Sequence, residues 1–185
     1  MAGKFCWKPD SRTLRSTNSP VPALARLVFS MVYGRYFDEL EVGRRFRHWP
    51  GRTITEFDDT LFSLMSMNQH PVHVDENYAS KTQHARRLVV GPLVISLAIG
   101  LSQADIGGRA LETLNYSDVR HLAPVFHGDT IYAESSIVSK EELPDDRGMV
   151  TVATTARNQR GEAILSMQRK IVVPKRPKGE ALCAS

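Results

Sequence analysis

Apolar and polar positions change rhythm halfway along this chain. In the first half they recur at helical spacing. Leu61, Leu64, Met65 and Met67 predict a helix over Asp59–Met67, with Glu56 or Asp58 as its cap. Pro71 closes that element because it has no backbone N–H to donate. A short helix is expected over Asp75–Lys81. Gly91-Pro92 opens a longer one to about Ala104, apolar on all faces and therefore buried. Before these helices, Phe46–Thr55 alternates imperfectly and reads as a strand. After them the period shortens. Leu114–Leu122, Thr130–Val138, Met149–Arg157 and Ala163–Val173 are rich in Val, Ile, Thr and Tyr, and turn-forming runs such as His127-Gly128-Asp129 separate them. Consecutive strands with short links predict antiparallel meander pairing. One buried helix ahead of several such strands is an α+β layout, with a curved sheet wrapped around the helix.

Length and composition change this picture little. A chain of 185 residues, 42% hydrophobic and 24% charged, fits one globular domain. The longest apolar run, Leu88 to Leu101, is too short to span a bilayer. The net charge of +4 is unevenly placed: residues 1–35 carry six Lys/Arg and one acid, leaving a net charge of −1 on the remainder. The body therefore has no general basic surplus, and no nucleic-acid-binding motif is present. Residues 1–35 read as a flexible basic extension, 36–175 as the domain and 176–185 as a tail. A transit peptide, or a start at Met31, are further readings of the first segment. Cys6 and Cys183 lie near opposite ends and form no disulfide framework or metal cluster, so a reducing cytoplasm is expected.

Candidate chemistry is concentrated in Asn68-Gln69-His70-Pro71-Val72-His73-Val74-Asp75, which sets two imidazoles, an amide and a carboxylate beside an apolar wall. Groups that can move protons at the edge of an apolar surface suit an acid–base site. His73 is the first candidate for that work. Asp75 caps the following short helix or orients a histidine. Gly91 starts the buried helix, where an unpaired N–H and the helix dipole favour negative charge. Arg86-Arg87 precede it and could hold a carboxylate or a phosphate. Ser96, further along the helix, could line a pocket. Arg120 and His121 alternate on a strand, so at most one faces the site. His48, His84 and His127 have no partners at informative spacing and read as surface residues. No metal site is indicated.

Three passages together resemble the MaoC-like (R)-specific enoyl-CoA hydratase/dehydratase family. They are Tyr36-Phe37-Asp38-Glu39-Leu40-Glu41-Val42-Gly43, the Asn68–Asp75 segment with Tyr78-Ala79, and Pro124-Val125-Phe126-His127-Gly128-Asp129-Thr130. The likeness runs from about Tyr36 to Val173. It implies a single hotdog domain, a pairing of two copies into a homodimer, and Gly91 as the oxyanion hole. The family's usual catalytic Asp falls on Asn68 and its usual Asn on His70, while its catalytic His is kept as His73. This version of the motif resembles a subgroup acting on small branched or dicarboxylic acyl-CoAs such as mesaconyl-CoA.

The resemblance implies hydration of a short 2-enoyl-CoA, or the reverse, without a cofactor. An amide at position 68 cannot accept a proton, so His70 would take over proton transfer with Asn68 orienting the water. Two alternatives compete. A hotdog acyl-CoA thioesterase would want a carboxylate near the buried helix, and no acid occurs from Leu88 to Gln103. A non-catalytic acyl-CoA-binding module would tolerate the loss of the Asp.

Overall fold

The computed structural model describes residues 33–177, so the readings of residues 1–32 and 178–185 lie outside the described residues. A short 3₁₀ turn at Phe37–Glu39 leads into β1 (Arg45–Arg47) and β2 (Arg52–Thr53). Three helices follow: α1 (Glu56–Ser66), α2 (Pro71–Val74) and α3 (Glu76–Ala79). The long helix α4 (Gly91–Leu101) precedes β3 (Glu112–His121), β4 (Thr130–Leu143), β5 (Arg147–Arg157) and β6 (Ala163–Pro174). The expected strand over Phe46–Thr55 is in fact two, both paired with β4.

The sheet is antiparallel throughout, in the order β1-β4-β5-β6-β3. The meander expectation holds for β4, β5 and β6, whose links are tight turns. It fails for β3, which lies at the far edge beside β6. The β3–β4 link contains Pro124 and is long enough to cross the sheet rather than turn back. Among the described residues β3 leaves one side unpaired, and Leu114, Tyr116 and Val119 on it are exposed.

The core lies on one sheet face. Val90, Leu93, Val94 and Ala98 of the α4 segment pack with Ile131, Ala156, Ile164, Leu165 and Met167. A second cluster joins Phe37, Leu40 and Phe46 to Ile137, Val150, Val152 and Ile171. His48, expected at the surface, is buried. Its Nδ1 lies 2.7 Å from Asp105 Oδ2 and its Nε2 2.8 Å from Ser135 Oγ, which in turn meets Thr154 Oγ1 at 2.9 Å. Two satisfied ring nitrogens are what make a core histidine tolerable.

Thr55, rather than Glu56 or Asp58, caps α1. Its hydroxyl accepts the Asp58 N–H at 3.2 Å, while the Asp58 carboxylate accepts the Thr55 N–H at 2.8 Å and its hydroxyl at 2.7 Å. The bond from the Thr55 hydroxyl is the main reason that the Asp58 carboxyl sits below the usual aspartate range. The helix is also turned round from the simplest reading. Asp59 and Ser63 are buried, and Leu61, Leu64, Met65 and Met67 are exposed.

Candidate active site

The His-containing segment is built by punctuation. Met67 ends α1 in the left-handed region at φ 58° and throws Asn68 off the helix axis. Pro71 does not close α1, contrary to the sequence expectation, because that helix has already ended at Ser66. It occupies the first turn of α2, where a missing N–H costs nothing. His70 is the cap of that turn: its Nδ1 accepts the Val72 N–H at 3.2 Å. Asp75 ends α2 and caps α3, accepting the Tyr78 N–H at 3.0 Å. Asn68 Oδ1 makes a long 3.5 Å contact with the His70 N–H.

These bonds fix which ring nitrogens carry protons. His73 Nδ1 lies 2.8 Å from Leu88 O, and a carbonyl oxygen can only accept, so Nδ1 bears the hydrogen. In the neutral ring Nε2 is then a free lone pair, the form a base requires. His70 is the complement: with Nδ1 accepting, its neutral ring presents an Nε2–H donor. The two rings meet edge to face at 6.2 Å between centroids, and His70 meets Tyr78 in the same way.

The histidine turn is stitched to the strand of chain leading into α4. Leu88 N–H donates to Val72 O at 3.1 Å while Leu88 O receives His73. His73 is thereby anchored three residues ahead of Gly91, the first residue of α4. A second latch comes from α1. The buried Asp59 carboxylate accepts the Val90 N–H at 2.8 Å through Oδ1 and meets His127 Nε2 at 2.9 Å through Oδ2. His127 is therefore a partner of Asp59, with Glu56 at 3.8 Å, and not a free surface residue. Nor is His84 free: its ring packs edge-on to Phe126 and its Nε2 meets Gln83 Nε2 at 3.2 Å.

Of the alternating pair on β3, His121 faces this site. A Cβ built on Gly91 would lie 2.8 Å from His121 Nε2. Arg120 lines a different hollow with Asp118, Ser166 and Gln168. Arg86 and Arg87 separate as well. Arg87 is held by Glu76, at 2.9 Å from Nε, and by the Glu56 carboxylate, and the Glu76 bond chiefly raises its pKa. The Arg86 guanidinium lies over the Phe126 ring at 3.7 Å, and no acidic side chain among the described residues pairs with it. Ser96 donates to Pro92 O at 2.9 Å and borders a hollow with Trp49, Gly51, Leu97 and Gly100.

Asp59 and its pairing with His127 escape a reading of the chain alone, which also leaves open which of Arg120 and His121 faces the site. The partners lie 31 residues apart for Asp59 and Val90, and 68 for Asp59 and His127. The one available signal is the doubled acid Asp58-Asp59, since a single carboxylate suffices for the capping box.

Comparison with known proteins bears on the family and the fold. Residues 38–159 match the family described as MaoC like domain. Mesaconyl-CoA hydratase of Cereibacter sphaeroides is 32% identical over 144 residues, which are 77% of this chain and 42% of that protein. The chain thus spans well under half of that relative. It spans 93% of an (R)-specific enoyl-CoA hydratase of Rhodospirillum rubrum, at 28% identity over 76% of its own length. A conserved hypothetical protein of Mycobacterium tuberculosis with a double hotdog fold superimposes with TM-score 0.73, covering 80% of this chain and 46% of that one at 23% identity. That likeness concerns the fold alone, and it agrees with a single α+β hotdog domain here. With three fifths or more of its length inside the match, and the histidine turn within it, the chain belongs to the MaoC-like domain family.

Proposed function

We propose that this protein is a lyase that adds water across the double bond of a short 2-enoyl-CoA, or removes it from the 3-hydroxyacyl-CoA. The observation that carries this reading is the His73 tautomer, pinned by Leu88 O so that Nε2 is a base beside the start of α4. His73 Nε2 takes a proton from water as the water oxygen bonds to C3. The C2–C3 π electrons move toward the thioester, giving an enolate whose oxygen faces the Gly91 N–H. The His73 imidazolium then returns its proton to C2, so the ring ends as it began. The His70 Nε2–H and the Asn68 amide orient the water. Asp75 supports the turn as a cap.

The test is ultraviolet absorbance of the conjugated enoyl thioester. Loss of absorbance with crotonyl-CoA or mesaconyl-CoA, slowed by about 10²–10⁴-fold in His73→Ala, is the expected result. No turnover of any enoyl-CoA in a panel that includes itaconyl-CoA and 3-methylglutaconyl-CoA would overturn the reading. Relatives named for mesaconyl-CoA and β-methylmalyl-CoA support a branched or dicarboxylic substrate. Arg86, with no carboxylate partner among the described residues, suits its anionic end better than the doubly paired Arg87.

The partner in this reading is a second copy of the chain. The side of β3 left unpaired among the described residues, with the exposed Leu114, Tyr116 and Val119, favours edge-to-edge pairing into one continuous sheet. A cytoplasmic location is supported by the sparse cysteines. Among the described residues no helix is long and apolar enough to cross a membrane.

A further inference from the structure

We infer that His121 supplies a second hydrogen bond to the thioester oxygen, which makes it a catalytic residue beside Gly91; this rests on the hydration reading above. The argument starts from how few donors the start of α4 can offer. A helix N-terminus normally presents several unpaired N–H groups. Here the Val90 N–H is taken by Asp59, Pro92 has none, and the Leu93 N–H donates to Val90 O at 3.0 Å. Gly91 is left as the single backbone donor. An enolate oxygen has more than one lone pair to satisfy, so one donor leaves it poorly stabilised.

The side chain that stands at that point is His121. A Cβ on Gly91 would meet Nε2 at 2.8 Å, Cε1 at 3.0 Å and Cδ2 at 3.6 Å, so the ring edge carrying Nε2 rests against the glycine. The backbone beneath it is held on both sides of the ring: His121 pairs with Leu165 in the sheet, and the Leu122 N–H donates to Ile164 O at 2.9 Å. Neither His121 nitrogen has a hydrogen-bond partner among the described residues, and the residue is exposed to solvent. A ring with an uncommitted nitrogen at the mouth of a one-donor helix start completes a two-donor oxyanion site. Protonated on Nε2, it donates to the oxygen that the Gly91 N–H also reaches. Gly91 is then required twice over, for its open N–H and for the room that the ring occupies.

The bond would strengthen as charge develops on the oxygen, so it acts on turnover more than on binding. The experiment compares His121→Phe, His121→Gln and Gly91→Ala with wild type and His73→Ala, measuring kcat and KM for hydration of crotonyl-CoA and mesaconyl-CoA. His121→Phe is expected to lower kcat by about 10²–10³-fold, the loss typical of one oxyanion donor, with KM little changed. His121→Gln, which keeps an N–H, is expected to recover part of that loss. Gly91→Ala, which displaces an intact ring, is expected to lower kcat without it, and covers the case in which His121→Phe fails to fold. Wild-type kcat in a folded His121→Phe, or a rise in KM alone, overturns the inference while hydration stands. No turnover by the wild type overturns both.

Discussion

At the residue scale the site is decided by which nitrogen of each imidazole is engaged. His73 donates through Nδ1 to Leu88 O, and His70 accepts through Nδ1 from the Val72 N–H. One neutral ring is left with an open acceptor at Nε2 and its neighbour with an open donor, a difference that the spacing of the two histidines does not reveal. His73→Ala should lower kcat by about 10²–10⁴-fold, the usual contribution of a positioned acid–base group, with its far-ultraviolet circular dichroism unchanged. His70→Asn separates two roles. Asparagine also caps a helix, so stability should hold within about 0.5 kcal/mol while kcat falls by tenfold or more. Wild-type kcat in that variant would remove His70 from the chemistry. The candidate histidines were legible in the chain, because the His-Pro-x-His-x-Asp spacing is local. Their tautomers were not, because each depends on a backbone atom that only the fold brings near.

At the element scale α1 and the start of α4 are joined by one buried carboxylate. Asp59 holds the Val90 N–H and His127, so it sets where the Gly91 N–H points. Removing it in Asp59→Ala leaves a buried N–H without a partner. Stability should fall by about 1–3 kcal/mol in urea titration, and kcat should fall with it. Unchanged stability would show that Asp59 is not the latch. The helices themselves were readable from Pro, Gly and apolar spacing, but the orientation of α1 was not. Its apolar residues Leu61, Leu64 and Met65 are exposed because Asp59 and Ser63 take the inner face. Amphipathic spacing finds a helix; it does not say which face a buried hydrogen bond will claim.

At the scale of the whole molecule, two features follow from how the sheet closes. The unpaired edge of β3 predicts that sedimentation will give twice the 20.7 kDa chain mass, and that Leu114→Lys with Tyr116→Lys will shift it toward the monomer. A wild-type monomer would contradict edge pairing. The β3–β4 link is locked by Asp129. Burial raises this carboxyl's pKa, but bonds from Gln159, the Phe126 N–H and Arg160 outweigh burial and hold it below the usual aspartate range. A lowered folded-state value stabilises the protein above the unfolded pKa of about 4, and that contribution is lost as pH falls through the folded value. Asp129→Asn should therefore be less stable at neutral pH and should lose less stability on acidification, as read by urea unfolding across a pH series. The α+β class and the central helix were legible from periodicity, whereas the edge position of β3 was not, since strand order is set by a crossing link rather than by any strand's own residues. The central claim is that the anchored His73 drives hydration of an enoyl thioester. Its most direct measurement is the ultraviolet absorbance of crotonyl-CoA and mesaconyl-CoA with wild type and His73→Ala: loss with the wild type, slowed by about 10²–10⁴-fold in the variant, is predicted, and equal rates in both would contradict it.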